Sequence, residues 1–204
     1  HCSKFDLKFM DKRVLFTAMR NLDMKPENQV WENYKSHLGK MLHFNGEVIG
    51  RLLTGYCDEI NIFFTEEEGA YIPNVESSSL RPEEVEERGL TIIERLRKEY
   101  VKCSVEKLCQ SIVASGQSAA VICELSAKPV TFTLEIGGSG KKLVVSLDDN
   151  GAVMEEVTGI AGRSCVDLTS VLEMMTAKTT NRNWTFEYDE LVEDQVIQVL
   201  TLRR

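Results

Sequence analysis

Residues 81–116, RPEEVEERGLTIIERLRKEYVKCSVEKLCQSIVASG, constrain this chain more than any other stretch. They read as one long helix. Pro82 and the glutamates behind it suit a helix start, where carboxylates meet the positive end of the dipole. Gly116 suits the stop, and Gly89 marks a break or a later true start. A helix of this length needs an apolar partner, and what flanks it is β-rich. SKFDLKF alternates, with Phe5, Leu7 and Phe9 on one face, and reads as a half-buried strand. Asp11 then caps a helix whose Val14, Leu15, Ala18, Met19 and Leu22 form an apolar stripe. Short strands are expected at 29–36, 47–53 and 59–64, followed by a turn and a further short strand, with 73–80 as a polar loop. After the long helix come strands at 118–125 and 130–136.

The order is β-α-β-β-(β)-α-β. It predicts an α+β fold, a ferredoxin-like split βαβ antiparallel sheet with two helices on one face. Phe5, Leu7 and Phe9 should be buried, with Leu15, Met19, Ile93 and Leu96 packed over the sheet. GGSG at 137–140 reads as a hinge, which divides the chain into residues 1–137 and 138–204. The second part is a small ββαβ domain. Strands at 141–147 and 153–157 flank DDNG, where Asn-Gly favours a hairpin turn. A helix over 165–176, a strand at NWTFEYDE and a C-terminal extension that is strand or short helix complete it.

Hydrophobic residues make up 43% of 204, enough for real cores. No apolar run approaches the roughly 18–20 residues of a membrane span, so a soluble or peripheral protein is expected. The opening HCSKF shows no signal or transit peptide, which implies a removed targeting segment or a late start. A net charge of −8 without a basic cluster argues against nucleic acid. The cysteines Cys2, Cys57, Cys103, Cys109, Cys123 and Cys165 form no CxxC and read as small core hydrophobes in a reducing compartment. Cys103 and Cys109 sit six apart on a helix and point in different directions. His37 and His43 carry no catalytic spacing, and Asp148 and Asp149 read as turn formers.

Two places invite a functional reading. GIAGRSCVDLTS, 159–170, sets Gly159 and Gly162 before Arg163, Ser164 and Cys165. Ser164 would cap the following helix, Cys165 would sit in its first turn, and Arg163 could hold an anion there. The competing reading is a tight structural corner with Cys165 filling a core hole. The Lys-Ser/Thr pair of a phosphate-binding loop is missing. The second place is the N-terminal segment, where Lys4, Lys8, Lys12, Arg13, Arg20 and Lys25 give an excess of positive charge. They could face an acidic partner or an anionic membrane, or simply be solvated. The acidic tract 187–194 has the same two readings.

HCSKF, GYCDEINIFF and IIERLRKEYVKCSVEKLCQSIVASGQSAAV resemble the hypothetical chloroplast reading frame thirty-five family of cyanobacteria and plastids. VVSLDDNGAVMEEVTGIAGRSCVDLTSVLE, followed by WTFEYDE, resembles a small companion cyanobacterial family of unknown function. Neither family supplies an activity to carry over. The resemblance implies a photosynthetic lineage and a plastid setting, in the stroma and peripheral to the thylakoid membrane. The expected protein is a non-catalytic accessory or assembly subunit without a cofactor or metal. It would be docked on subunits of a photosynthetic complex, with the stromal side of photosystem I favoured. The alternatives are a soluble redox or iron–sulfur factor working with ferredoxin through Cys165, and an adaptor of a chaperone-type ATPase.

Overall fold

The computed structural model describes residues 2–4, 8–24, 27–30, 51–137, 140–147, 152–160, 179–184 and 194–201. Phe5, Leu7, His37, His43, Asp148, Asp149, Gly162, Arg163, Ser164 and Cys165 lie outside them, as does the helix expected at 165–176. The chain is α+β and divides into two compact units, His1–Tyr100 and Val101–Arg203.

The first unit contains β1 (Cys2–Lys4), α1 (Lys12–Asn21), β2 (Glu27–Val30), β3 (Arg51–Cys57), β4 (Ile60–Glu67) and β5 (Ala70–Glu76). It also holds the first part of α2 (Pro82–Ala114). Its sheet has the order β1-β5-β4-β3-β2, with every described pair antiparallel. Asp11 caps α1 as expected, its carboxylate accepting from the N–H groups of Arg13 and Val14. Of the predicted stripe, Val14, Leu15, Ala18 and Met19 are buried, while Leu22, just past the helix end, is half-buried; Phe9, Ile93 and Leu96 are also buried.

Two tight hairpins shape this sheet. Asp58 and Glu59, at φ 49° and 65°, connect β3 to β4, and Glu68 and Gly69, at 51° and 79°, connect β4 to β5. Both central residues of each turn are left-handed, which matches strand twist in a two-residue loop. The second turn uses glycine at its second position. The first places a glutamate there, a conformation that costs a non-glycine residue on the order of 1 kcal/mol.

The sheet departs from expectation in its fifth strand and in its topology, and its β4 is covered on both faces. β5 runs through Pro73 to Glu76, where a polar loop was expected. Phe9 and Tyr71 exchange N–H···O bonds, so residue 73, two further along, turns its nitrogen the same way and away from β4. The missing N–H therefore breaks no bond of the β4–β5 ladder. Residues 62 to 65 of β4 are all buried, so both faces of that strand are covered and the alternation of a half-exposed strand is absent. Finally, the strand after α2 does not return to this sheet. A split βαβ unit requires that return, so the ferredoxin-like topology gives way to a β2–β5 meander with β1 alongside β5.

α2 runs unbroken through Gly89, which is buried. At its start the Glu84 carboxylate accepts from the Arg81 N–H, three residues earlier. At its end Gly116 sits at φ 96°, its N–H bonding the Val113 carbonyl while the Gln117 N–H bonds Ile112. This pair of bonds satisfies the last carbonyls of the helix.

The second unit continues from α2 into β6 (Ala119–Glu124), β7 (Val130–Ile136), β8 (Lys141–Leu147), β9 (Ala152–Ile160), β10 (Thr179–Trp184) and β11 (Asp194–Thr201). Their order is β10-β11-β9-β8-β7-β6, again antiparallel in each pair. Val130, Phe132, Leu134 and Ile136 of β7 share one buried face with Leu143, Val145 and Leu147 of β8. The division expected at GGSG is therefore corrected. β7 and β8 pair up to Ile136 and Lys141 within the second unit, with Gly137 and Gly140 at positive φ just beyond the pairing. The hairpin expected around DDNG is present as the β8–β9 pair, and the C-terminal extension is a strand.

Candidate functional site

The exposed side of α1 is built by its period. Arg13, Thr17 and Arg20 recur at spacings of four and three and are exposed, while Lys12 and Phe16 are half-buried beside them. Lys8, also half-buried, leads into the helix, and Lys4 lies in β1. No acidic residue occupies the first turn of α1. The nearest carboxylate, Asp11, is engaged in the cap. The Arg20 guanidinium stands 4.6 Å from the centroid of the Phe16 ring, an attractive placement over its π face. The structure thus brings Lys12, Arg13 and Arg20 together on one stretch of helix. Arg163, the candidate anion holder of the 159–170 segment, lies outside the described residues, as does Lys25.

A second feature of the first unit was not anticipated. The tip of the β3–β4 turn and one side of α2 enclose a groove of about 830 Å³, lined by Asp58, Glu59, Glu84, Arg88, Thr91 and Arg95 among others. Arg88 Nη1 lies 3.9 Å from Glu59 Oε2, linking the strained turn to the helix. The Arg81 side chain and N–H hold the Glu84 carboxyl below its ordinary range. Half-buried Cys57 sits at the end of β3, hydrogen-bonded to Asp58 and Arg95. Burial and the Asp58 carboxylate push its thiol up, outweighing the opposite pull of Arg95.

This is not an activated nucleophile, because the thiolate is the reactive form. Cys57 should stay protonated and alkylate slowly at pH 7. Asp58→Asn should speed the reaction, and Arg95→Leu should slow it further. Mass mapping of labelled native protein reads both. Rapid wild-type labelling at Cys57 would refute the assignment.

The other cysteines are dispersed. Cys103 is buried in α2, Cys109 half-buried six residues on, and Cys123 exposed in β6. Among the described residues, no group of three His, Cys, Asp or Glu side chains is placed to hold a metal ion. No described helix is long and apolar enough to cross a membrane.

Gly159 is found inside β9 rather than at a corner. Ile160 pairs with Asp194 and Val157 with Val196, leaving Thr158 and Gly159 opposite Gln195 alone. That is a bulge, where an interior glycine is at home.

Residues 143–189 match the model of a family described as a protein of unknown function (DUF2997). The match falls within the half of the chain that resembles a companion family of unknown function. The resemblance of the first half to the chloroplast reading frame family finds no support in these comparisons. No curated protein matches the chain, and no solved structure does.

Proposed function

We propose that the protein is a non-catalytic accessory or assembly subunit that docks through the basic side of α1 on an acidic surface of a protein complex. One observation carries this reading. On a chain of net charge −8, α1 presents exposed Arg13 and Arg20 with half-buried Lys12 beside them, and half-buried Lys8 adjoins this cationic run. Such a patch steers association with an acidic partner against the field of the rest of the molecule. The resemblance of the sequence implies only a photosynthetic lineage; on that footing the proposed partner belongs among the membrane complexes of a plastid, with the stromal side of photosystem I favoured.

Docking of this kind is salt-sensitive, since the screening length falls to roughly 3 Å at 1 M salt. The protein should stay with membrane complexes at low salt and wash off at high salt. Lys12→Glu together with Arg13→Glu should release it at low salt while leaving the fold intact, because Arg13 is exposed and Lys12 is not among the buried residues. Retention of that variant at low salt, or of the wild type through a high-salt wash, would defeat the reading. Identifying the proteins that co-purify at low salt tests the photosystem assignment separately.

A further inference from the structure

We infer, on the footing that the basic side of α1 is the docking face, that the partner's contacting element is a helix carrying two carboxylates seven residues apart with apolar side chains between them. Arg13, Phe16, Thr17 and Arg20 stand at i, i+3, i+4 and i+7, the pattern by which one helix lays a stripe along another. Arg13, Thr17 and Arg20 are exposed, and Phe16 is half-buried. The Thr17 hydroxyl donates to the Arg13 carbonyl at 3.0 Å, so its polar atom is engaged within the helix. The stripe is therefore cationic at both ends and poor in free polar atoms at its middle.

Both guanidiniums are available to carboxylates. Arg81, Arg88 and Arg97 each meet a glutamate within the chain. The Arg13 and Arg20 side chains meet no carboxylate among the described residues, although the chain holds 32 acidic against 24 basic residues. The Arg20 guanidinium lies instead over the Phe16 ring. A π face offers no lone pair, so the N–H fork of Arg20 still lacks the acceptor that a carboxylate supplies in two parallel bonds. The ring also restrains the arginine before any partner arrives, which lowers the entropy lost on pairing. A lysine would reproduce the charge of Arg20 but not its fork.

Spacing decides the kind of element that fits. Positions 13 and 20 are about 10.5 Å apart along the helix axis, and helical side chains all lean toward the helix start, which preserves that pitch. A facing helix repeats one face at the same seven-residue pitch. A facing strand repeats one face at roughly 6.7 Å or 13 Å, so its carboxylates meet one guanidinium in register and miss the other. With two helices at a shallow crossing angle, the partner residues three and four beyond the first carboxylate fall against Phe16 and Thr17, where apolar side chains suit the ring. Cations at both ends of the stripe make the match independent of the partner's chain direction.

Two alanine-rich helical peptides of identical composition, titrated into the isotope-labelled full chain and followed by NMR, test this. One carries Glu at i and i+7 with Leu at i+3 and i+4. The other has its second Glu at i+5, turned about 140° around the helix from the first. The first should move the Arg20 Nε–H and Phe16 ring signals and bind about fivefold or more tighter than the second. Arg20→Lys should weaken the first peptide about threefold and leave the second unchanged, an asymmetry that charge alone does not produce. Equal binding of the two peptides, an Arg20 signal that does not move, or an Arg20→Lys protein that binds the first peptide as wild type does would overturn the inference. If the peptides bind alike while Lys12→Glu with Arg13→Glu still releases the protein from membrane complexes, docking through α1 stands and only the helical partner falls. If that double variant stays on the complexes at low salt, docking through α1 falls and takes the helical partner with it.

Discussion

Gly55→Ala should destabilise the first unit by about 2–4 kcal/mol, although it adds one methyl group to a strand. Gly55 lies in β3 opposite Ile62, on the face that receives α1. A Cβ built there would stand 2.6 Å from Met19 Cε and 2.7 Å from the Met24 carbonyl oxygen. The methionine tip can swing away at modest cost. The carbonyl cannot, because it accepts the Tyr56 N–H at 2.9 Å, and the Met24 N–H is tied in turn to Met19 O at 2.9 Å. Relief therefore requires the segment after α1 to lift off β3, breaking a buried backbone bond as it goes. Thermal denaturation should show a midpoint lower by on the order of 10 °C for a unit of this size. Adding Met19→Ala should not rescue it, because the carbonyl clash remains. A Gly55→Ala protein melting within a degree or two of wild type would show that the segment shifts without cost.

That clash illustrates what the chain spells out locally and what it does not. α1 was legible because its cap, its stripe and its end lie within a dozen residues, each acting through contacts at spacings of three and four. The start and stop of α2 were legible for the same reason. Strand assignments failed where the deciding partner is distant. Pro73 looks like a loop residue until Phe9 and Tyr71 are seen to fix the direction in which position 73 turns its nitrogen. GGSG looks like a linker until Ile136 and Lys141 are seen to pair across it.

The ferredoxin-like topology rested on element order alone. Order does not say which sheet the strand after α2 joins, and Ala119–Glu124 joins the second. The basic patch was readable in composition, but its exposure depended on the phase of α1. The groove beside Cys57 was not readable at all. It unites Cys57 with Arg95, distant in sequence, at a turn whose Asp-Glu pair lacks the glycine that usually announces it.

Tyr100 gives the other large effect, and its sign with pH is fixed by where its proton sits. The side chain is fully buried, its ring 4.9 Å from that of Phe9 in an edge-on arrangement, and its hydroxyl accepts the Asp11 N–H at 2.9 Å. It therefore ties α2 to the cap of α1. Tyr100→Ala should cost about 3–5 kcal/mol through the lost ring and the cavity left behind. Tyr100→Phe keeps the ring and should cost only about 1 kcal/mol at pH 7, for the lost hydrogen bond.

Alkali separates the two contributions further. Burial pushes the Tyr100 hydroxyl well above the ordinary tyrosine range, so the folded protein keeps this proton while the unfolded chain releases it near pH 10. The stability tied to that proton is complete below about pH 10 and is lost as pH rises beyond it. Tyr71, raised by burial and by Glu66, adds to the same alkaline loss but is common to both proteins. Denaturant midpoints measured from pH 7 to pH 11 should fall more steeply for wild type than for Tyr100→Phe, and the gap between them should narrow above pH 10. Parallel curves throughout would mean that Tyr100 ionises without disturbing the fold, and that its hydroxyl is not held in a buried contact with Asp11.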